Sequence, residues 1–364
     1  MSSFMKKIAA LFLSAIFICI AAGCNSAIKC GEEQNDVSET GKIKFSKIYY
    51  EYFDTVSTIV GYEETQEEFD KRCEYICAEL ERYNKLYDIY HKYDGINNIC
   101  TLNDEAANGP VKVDKDIIAL LKFSIEMYEA TFGKTNIAMG NVLSIWHDYR
   151  EKGNFDPSNA ELPPMDKLKA AAEHCSIEDI VIDEENSTVF FNDPLLKLDV
   201  GSVAKGYSTE RIALDLIETG AENYALNIGG NVRTTGQKGD GTSWSAGIQN
   251  PDLTNDKTLL IKVIVDNKTL VTSGDYQRYY YVDGVKYHHI IDSKTLMPEN
   301  YFASVSILSG DSGMADALST ACFNLSLDEG MKLINSLENT EAMWVTPDGN
   351  EYFSDHFLDY ELKD

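Results

Sequence analysis

The chain has 364 residues and a formal net charge of −27 at pH 7, with 59 acidic side chains against 32 lysines and arginines. This balance excludes nucleic-acid binding through a basic face, because neutralising phosphates is the main source of that affinity. An anionic ligand must therefore be held locally, by backbone amides, a few cationic side chains or a metal ion.

The first 23 residues are typical of a secretion signal. Lys6 and Lys7 precede an apolar run at residues 8–20 that is too short for a comfortable membrane span. The run ends in Ala-Ala-Gly-Cys, which resembles the lipobox of bacterial lipoproteins and predicts lipidation of Cys24. The alternative is an ordinary signal peptide cut after small residues. Loss of both lysines would take the net charge from −27 to −29.

A polar segment follows the predicted cleavage site. Residues 24–44 have no apolar period and are predicted to form a lipid-anchored tether. Residues 45–364 are then the folded part, which is long enough for one large domain or for two closely packed lobes. We expect this part to lie on the extracytoplasmic face of the bacterial cell membrane.

The eight cysteines do not form the pattern of a disulfide framework or a zinc site. Cys73 and Cys77 are one helical turn apart, Cys322 lies in an apolar helical segment, and no CxxC pair occurs. Most are predicted to be small buried hydrophobes.

Strand and helix patterns interleave along the chain without an internal repeat. Apolar spacings of three and four predict helices, and a capping box at Ser326 and Glu329 predicts another. The predicted elements are a strand at 48–60, helices at 67–87, 115–131 and 327–337, and hairpins at 180–191 and 276–291. We therefore predict an α+β protein with mixed, largely antiparallel sheets flanked by helices, rather than a doubly wound parallel fold.

The run LDVGSVAKGY, residues 198–207, contains a possible anion site. A strand is expected to lead through Asp199 into a turn at Gly201, followed by a helix. Free N–H groups at a helix start suit phosphate, and Lys205 adds a full positive charge. The spacing matches neither a Walker loop nor GxGxxG, so the run alone is equally compatible with a structural turn.

Two further runs carry chemistry. In YHHIID, His288 and His289 lie on a predicted strand and point to opposite faces, so at most one faces a given site. The alternative is that both are tips of surface strands. In MADALSTA, Asp316 and Thr320 share one helical face and offer two hard oxygens to Mg²⁺. Such a pair alone is more often a set of polar side chains on a solvated or N-terminal part of a helix.

Together these runs resemble the signature of the ApbE family, the FAD:protein FMN transferases. The matching runs, in the family's order, are LDVGSVAKGY, NIGGNVRTTG, TSGDYQRYYYVDGVKYHHIIDSKTLMP and MADALSTA. Weaker similarity extends upstream of these runs, so that the resemblance covers residues 49–344 in total. Ser202 replaces a glycine of the family pattern, and Lys134, Thr135 and Asn136 replace a small-Phe-Asp run.

The resemblance implies an enzyme that splits FAD at its pyrophosphate, transfers FMN as a phosphoester to a threonine or serine hydroxyl of an acceptor protein, and releases AMP. It implies a Mg²⁺ site formed by Asp316, Thr320 and the backbone carbonyl of Ser202, with His289 as general base or orienting group. The implied FAD-lining positions are Phe53, Tyr90, Lys134, Thr135, Asn136, Asp199, Lys205 and Ile290.

The acceptors of related enzymes are membrane redox subunits with an Asp-x-x-Ser/Thr-type sequence, so the resemblance implies such a partner. Two other functions are the alternatives, and the first would use the same residues. One is a Mg²⁺-dependent FAD pyrophosphatase that gives FMN and AMP, with water in place of the acceptor hydroxyl. The other is a lipoprotein that binds FAD without turnover.

Overall fold

The structure, a computed structural model, describes residues 41–363. The predicted signal sequence, Cys24 and most of the tether lie outside these residues. The helices are α1 (Gln66–Tyr87), α2 (Ile99–Glu105), α3 (Lys115–Ala130), α4 (Gly140–Phe155), α5 (Met165–Ala172), α6 (Ala204–Glu218), α7 (Ser312–Phe323) and α8 (Leu327–Asn335). No helix within the described range is long and apolar enough to cross a membrane.

The strands are β1 (Ile43–Tyr49), β2 (Ser57–Glu63), β3 (Val111–Lys112), β4 (Ile180–Asp183), β5 (Thr188–Phe191), β6 (Tyr224–Ile228), β7 (Asn231–Thr235), β8 (Ser245–Gln249), β9 (Leu259–Ile264), β10 (Thr269–Gly274), β11 (Tyr279–Val282), β12 (Val285–His288), β13 (Ser304–Ser309), β14 (Glu341–Val345) and β15 (Glu351–Phe353). Eight of them form one sheet in the order β1-β2-β6-β7-β10-β13-β14-β15, and each neighbouring pair is antiparallel. The smaller sheets are β3-β5-β4, β8-β9 and β11-β12.

Side chains alternate between the two faces of the large sheet along each strand, and other elements pack on both faces. Ile59 of β2 packs with residues of α1 and α6, whereas the adjacent Val60 packs with Trp244 and the β8-β9 pair. Helix α7 packs on β10 and β13. The predicted α+β class with antiparallel sheets and flanking helices is confirmed.

Several predicted elements are also confirmed. The helices at 67–87 and 115–131 correspond to α1 and α3, and Ser326 and Glu329 form the capping box of α8. Hairpins β4-β5 and β11-β12 occupy the two predicted places. At the tip of the second hairpin, Asp283 and Gly284 have φ values of 49° and 79°, as a tight two-residue turn requires.

The single strand predicted at 48–60 is wrong. The chain forms β1 and β2 instead, paired as antiparallel neighbours. Between them Phe53 and Asp54 have φ values of 53° and 51°, and two consecutive left-handed residues cannot continue a strand. The aromatic residues around this turn are typical of strands, so the sequence did not indicate the turn.

The strand predicted to lead through Asp199 is also wrong. Lys197 makes only an isolated parallel bridge with Met139. The Asp199 N–H donates to the Ile137 carbonyl at 2.8 Å, so this segment is held by the loop before α4 rather than by a sheet.

The described cysteines, Cys73, Cys77, Cys100, Cys175 and Cys322, are free thiols. Cys73 and Cys322 are fully buried, and the other three are half-buried. Burial raises the pKa of Cys73 to about 12, which makes it an inert packing residue.

Candidate active site

The four sequence runs meet at one end of the large sheet. Gly229 and Gly230 turn the chain from β6 to β7, and a Cβ at Gly229 would lie 2.6 Å from Thr55 in the β1-β2 loop. Strand β10 is antiparallel to β7 and ends nearby. There the Ser273 hydroxyl lies 2.8 Å from the hydroxyl of Ser319 on α7.

The contact between α6 and α7 contains the predicted metal ligands. Asp316 is 5 % exposed, and its Oδ2 accepts a hydrogen bond from the Gly206 N–H at 2.8 Å. The Lys205 ammonium lies 3.6 Å from the same oxygen. The carboxylate is therefore fixed by the first turn of α6.

This arrangement leaves backbone and hydroxyl oxygens free. In a regular α-helix the Gly206 N–H would donate to the Ser202 carbonyl, four residues earlier. Because it donates to Asp316 instead, the Ser202 carbonyl receives no hydrogen bond from any described N–H group. Thr320 is half-buried, and its hydroxyl also has no described hydrogen-bond partner.

Carboxylate, hydroxyl and carbonyl oxygens are the hard ligands that Mg²⁺ prefers. Within residues 41–363, no cluster of three or more histidine, cysteine or acidic residues could hold a metal ion. The donor set at Asp316, Thr320 and Ser202 therefore fits a hard cation that retains water or substrate oxygens, and does not fit a soft one.

Gly206 allows this close approach, so we predict that Gly206→Ala is destabilising although alanine is the better helix former. A Cβ at Gly206 would lie 2.2 Å from the Ser312 carbonyl oxygen and 2.5 Å from Asp316 Cβ. Overpacking should outweigh the gain of about 1 kcal/mol in helix propensity, for a net loss of about 2 kcal/mol. Denaturant unfolding measures this. Gly109→Ala, where a Cβ meets nothing within 4 Å, is the control and should be near neutral.

His289 follows β12 directly. Its Nδ1 is buried without a hydrogen-bond partner among the described residues. Burial lowers the pKa of His289 well below its usual value, and the charges of Arg278, Arg150 and Lys205 lower it further. The imidazole is therefore neutral at physiological pH and has an unused ring nitrogen.

His288 has a different role. Its Nε2 lies 2.8 Å from the Glu299 carbonyl, its Nδ1 accepts from the Ile290 N–H at 3.2 Å, and its ring packs edge-on against Phe323. The idea that both histidines are tips of surface strands is thus wrong for His288, which is 2 % exposed. Both of its nitrogens are satisfied, so His288 supports the hairpin.

Asp199 and Tyr90 lie close enough for the Asp199 charge to act on the tyrosine. Asp199 Oδ1 accepts from the Gly201 N–H at 2.9 Å, and burial raises the pKa of this carboxyl group. Tyr90 is 61 % exposed, and its ring centroid lies 5.9 Å from that of His147 on α4. Partial desolvation and the nearby Asp199 carboxylate raise the pKa of Tyr90.

Three predicted positions hold the loop between α3 and α4 in place. The Lys134 ammonium forms an ion pair with Asp292, and the Thr135 hydroxyl donates to the Ala317 carbonyl at 2.7 Å. The Asn136 side chain donates to the Cys175 carbonyl at 3.1 Å and accepts from the Ala138 N–H at 2.8 Å. These side chains are used within the protein, and the backbone N–H groups of Lys134 and Thr135 are used as well, because they donate to the Thr131 carbonyl and hydroxyl.

The remaining predicted positions also have structural contacts. The Phe53 N–H donates to the Asn84 side chain at 2.9 Å, and its left-handed φ stores strain of the kind found at functional sites. Ile290 is buried in the cluster under α7.

Sequence reasoning gave no role to His147, Arg150 and Arg278. Arg150 Nη2 lies 2.9 Å from His147 Nδ1, one turn apart on α4. Tyr279 pairs with His288 across the β11-β12 hairpin, so Arg278 lies opposite His289, one position beyond the assigned strands. Residues opposite each other in such a pair share a face, and the hairpin register could have indicated Arg278 from sequence. Nothing in the sequence places α4 beside it.

Because the pKa values of both His288 and His289 are lowered, we predict a pH-dependent stability. The ordinary pKa of histidine is 6.5. When the pH is below this value, the unfolded chain binds more protons than the folded one, so the free energy of unfolding falls as the pH drops through 6.5. Each histidine should contribute about 1 kcal/mol between pH 7.5 and 5.5. Urea unfolding at the two pH values checks this, and equal stabilities would contradict it. His289→Gln should flatten the dependence.

Comparisons with known proteins identify the family of this chain. The ApbE family model matches residues 53–344. A Treponema pallidum protein named FAD:protein FMN transferase is 33% identical over 264 residues, which cover 69% of this chain and 71% of that protein. A Haemophilus influenzae protein of the same name is 26% identical over 335 residues, or 90% of each chain.

Solved structures are similar over the same region. The crystal structure of an ApbE protein from Thermotoga maritima superimposes with a TM-score of 0.76 at 26% identity, covering 88% of this chain and 100% of that one. The flavin transferase ApbE from Vibrio cholerae gives a TM-score of 0.72 at 25% identity, with 88% and 99% covered.

Proposed function

The chain belongs to the ApbE family, and we propose that it is a FAD:protein FMN transferase that moves FMN from FAD onto a threonine or serine hydroxyl of an acceptor protein and releases AMP. The names of its relatives support transfer of FMN to protein. The observation that carries the proposal is the Asp316 carboxylate held by the Gly206 N–H, with the unbonded Thr320 hydroxyl one turn further along α7 and the unbonded Ser202 carbonyl just before α6.

The reaction needs one bond formed and one broken at phosphorus. The acceptor hydroxyl oxygen attacks the phosphorus of the FMN half of FAD. The bond from that phosphorus to the bridging oxygen breaks, and AMP leaves with this oxygen. The hydroxyl proton goes to a base. Enzymes accelerate such transfers mainly by positioning the groups and offsetting phosphate charge.

We propose that Asp316, Thr320 and the Ser202 carbonyl hold Mg²⁺. When bound, Mg²⁺ supplies positive charge at the pyrophosphate oxygens. Lys205 and the partial positive charge at the start of α6 add further positive potential at the same place. This local charge matters because the chain as a whole carries −27.

We propose that the imidazole of His289 accepts the proton of the acceptor hydroxyl. A neutral imidazole can act as a base at once, but its lowered pKa makes it a weak base in the free protein. An incoming phosphate offsets the positive charges of Arg278, Arg150 and Lys205, which raises the basicity of His289 when substrate is bound. The chain would therefore couple base strength to FAD binding.

The proposed FAD site lies between the loops that carry Phe53 and Tyr90 and the backbone of residues 134–136, with Lys205 and Ile290 at its border. Asp199 would accept hydrogen bonds from the nucleotide through Oδ2, because Oδ1 is already bonded to Gly201. We propose that the enzyme acts on a membrane redox subunit at the extracytoplasmic face, where lipid on Cys24 would hold it.

Incubation with FAD, Mg²⁺ and a candidate acceptor, followed by a denaturing gel viewed by flavin fluorescence, tests the proposal. Transfer gives a fluorescent acceptor band and one AMP for each FMN attached. Free FMN and AMP without a labelled band would indicate the pyrophosphatase instead. Bound FAD without AMP would indicate a binding protein.

We further predict that the enzyme does not modify its own chain. Asp316-Ala-Leu-Ser319 resembles an acceptor sequence, but Ser319 is 0 % exposed. Its hydroxyl lies 2.8 Å from Ser273 Oγ and donates to the Asp316 carbonyl at 2.9 Å, so it cannot approach phosphorus in line with the leaving AMP. Intact-mass analysis after incubation with FAD and Mg²⁺ should show no added FMN. An increment that Ser319→Ala removes would contradict this.

A further inference from the structure

The C-terminal turn of α1 holds the two loops that carry Phe53 and Tyr90. Asn84 lies in the last turn of this helix, and Asp88 is its C-cap residue, four positions later. Residues four apart lie on the same side of a helix, so the two side chains are neighbours. Asn84 contacts the β1-β2 loop, and Asp88 contacts residues 90–93 of the loop that follows α1.

Asn84 stabilises a strained turn. Phe53 and Asp54 have left-handed φ values of 53° and 51°, which residues with a Cβ rarely adopt. The Phe53 N–H donates to the side-chain carbonyl of Asn84 at 2.9 Å. This bond comes from a helix outside the turn, so it ties the strained conformation of Phe53 to the rigid part of the protein.

Asp88 makes four contacts with the loop that carries Tyr90. Its Oδ1 accepts from the N–H groups of Tyr90 at 2.6 Å and His91 at 3.0 Å, and its Oδ2 lies 2.8 Å from the Tyr93 hydroxyl and 3.1 Å from His91 Nδ1. The Asp88 side chain is only 12 % exposed. Burial acts to raise the pKa of Asp88, but the bonds from Tyr90, Tyr93 and His91 outweigh burial and lower it. An ionised carboxylate therefore holds this loop.

The position of the Tyr90 ring depends on this backbone anchor. The ring is exposed, and its hydroxyl has no hydrogen-bond partner among the described residues. Asn98 supports the loop from its other end, because its Nδ2 lies 3.0 Å from the Lys85 carbonyl on α1 and 2.7 Å from the His91 carbonyl. The loop is therefore fixed to α1 at both ends.

The two loops are also neighbours of each other. Burial raises the pKa of Tyr90 and of Tyr93, and the charge of Asp54 raises both further. Asp54 directly follows Phe53, so the strained turn lies beside the loop that carries Tyr90. One end of α1 thus sets the relative placement of two aromatic side chains.

We propose that Asn84 and Asp88 are positioning residues that hold Phe53 and Tyr90 in the arrangement that binds FAD. This inference rests on the proposed function, in which both aromatic residues line the FAD site. A loop that is already ordered loses little conformational entropy when a ligand binds, whereas ordering a free loop weakens binding. None of the described side-chain hydrogen bonds of Asn84 and Asp88 involves a proposed metal ligand or His289. Their effect should therefore fall on FAD affinity.

A double-mutant cycle on the full-length chain in detergent tests the proposal. The Kd for FAD is measured by flavin fluorescence in EDTA, so that FAD is not consumed. Asp88→Ala should raise this Kd about tenfold. In a Tyr90→Ala background the same change should raise it less than about threefold, because the ring that Asp88 positions is already absent. Asn84→Ala should show the same dependence on Phe53→Ala.

Three further measurements separate positioning from general damage. Asp94→Asn removes an exposed carboxylate from the same loop and should leave the Kd within about twofold. Asp88→Asn keeps an oxygen that can accept the Tyr90 N–H, so it should recover part of the affinity lost in Asp88→Ala. Amide hydrogen exchange at residues 89–97 should be faster in Asp88→Ala, while exchange in α3 stays at the wild-type rate.

Equal effects of Asp88→Ala with and without the Tyr90 ring would overturn the proposal, because support of the fold alone does not depend on that ring. An unchanged Kd for FAD in Asp88→Ala would also overturn it, and FMN transfer by the wild-type protein would still support the proposed function. Coupling in both cycles without FMN transfer to any acceptor would instead refute the transferase and retain the positioning roles.

Discussion

Asp316→Asn should lower the rate of FMN transfer by roughly a hundredfold or more while the protein stays folded, because the proposed Mg²⁺ site would lose its only charged ligand. Asparagine is the better test than alanine. Its carbonyl oxygen can still accept the Gly206 N–H bond, which Asp316 Oδ2 accepts at 2.8 Å. Alanine would leave this buried N–H unpaired and add a stability loss of about 1–3 kcal/mol to the catalytic effect.

The matched control lies five residues earlier. Asp311 caps α7 by accepting the Met314 N–H at 2.8 Å, and asparagine caps helices equally well. Asp311→Asn should therefore leave transfer close to the wild-type rate. The measurement is initial FMN transfer at several Mg²⁺ concentrations. A wild-type rate for Asp316→Asn with an unchanged Mg²⁺ requirement would show that Asp316 is not a metal ligand.

Local sequence signals predicted the framework around this site well. Some elements depend only on residues a few positions apart and can be predicted from one sequence. These are helices α1 and α3, the capping box of α8 and the Asp283-Gly284 turn. The strand at 48–60 failed because the break at Phe53 and Asp54 comes from backbone conformation, for which these residue types give no signal.

The site was predictable only where the motif residues are themselves in contact. Asp316, Thr320 and Lys205 were identified by resemblance, and the structure brings Lys205 to 3.6 Å from Asp316. That Gly206 turns its N–H toward Asp316, and so frees the Ser202 carbonyl, depends on packing between helices about a hundred residues apart. The place of Arg150 depends on α4 docking against β11, which also lies outside any local pattern.

His289→Ala should lower turnover by roughly a hundredfold or more, while FAD binding stays close to that of the wild type. The side chain has no hydrogen-bond partner at Nδ1 among the described residues, so its removal breaks no polar contact of that atom. If the His289 imidazole takes the proton of the acceptor hydroxyl, added imidazole should restore part of the rate to His289→Ala. A purely structural role would give no such rescue.

His288→Ala is the comparison that decides between a catalytic and a supporting histidine. It removes the contact with the Glu299 carbonyl and the packing on Phe323, so it should cost about 1–3 kcal/mol of stability. Turnover per folded molecule should change far less than in His289→Ala, and imidazole should have no effect. Equal losses of turnover in the two variants, at equal folded fractions, would mean that both histidines only support the hairpin. The base would then have to be another group in the cleft, and Asp199, whose pKa is raised by burial, is the carboxylate to substitute next.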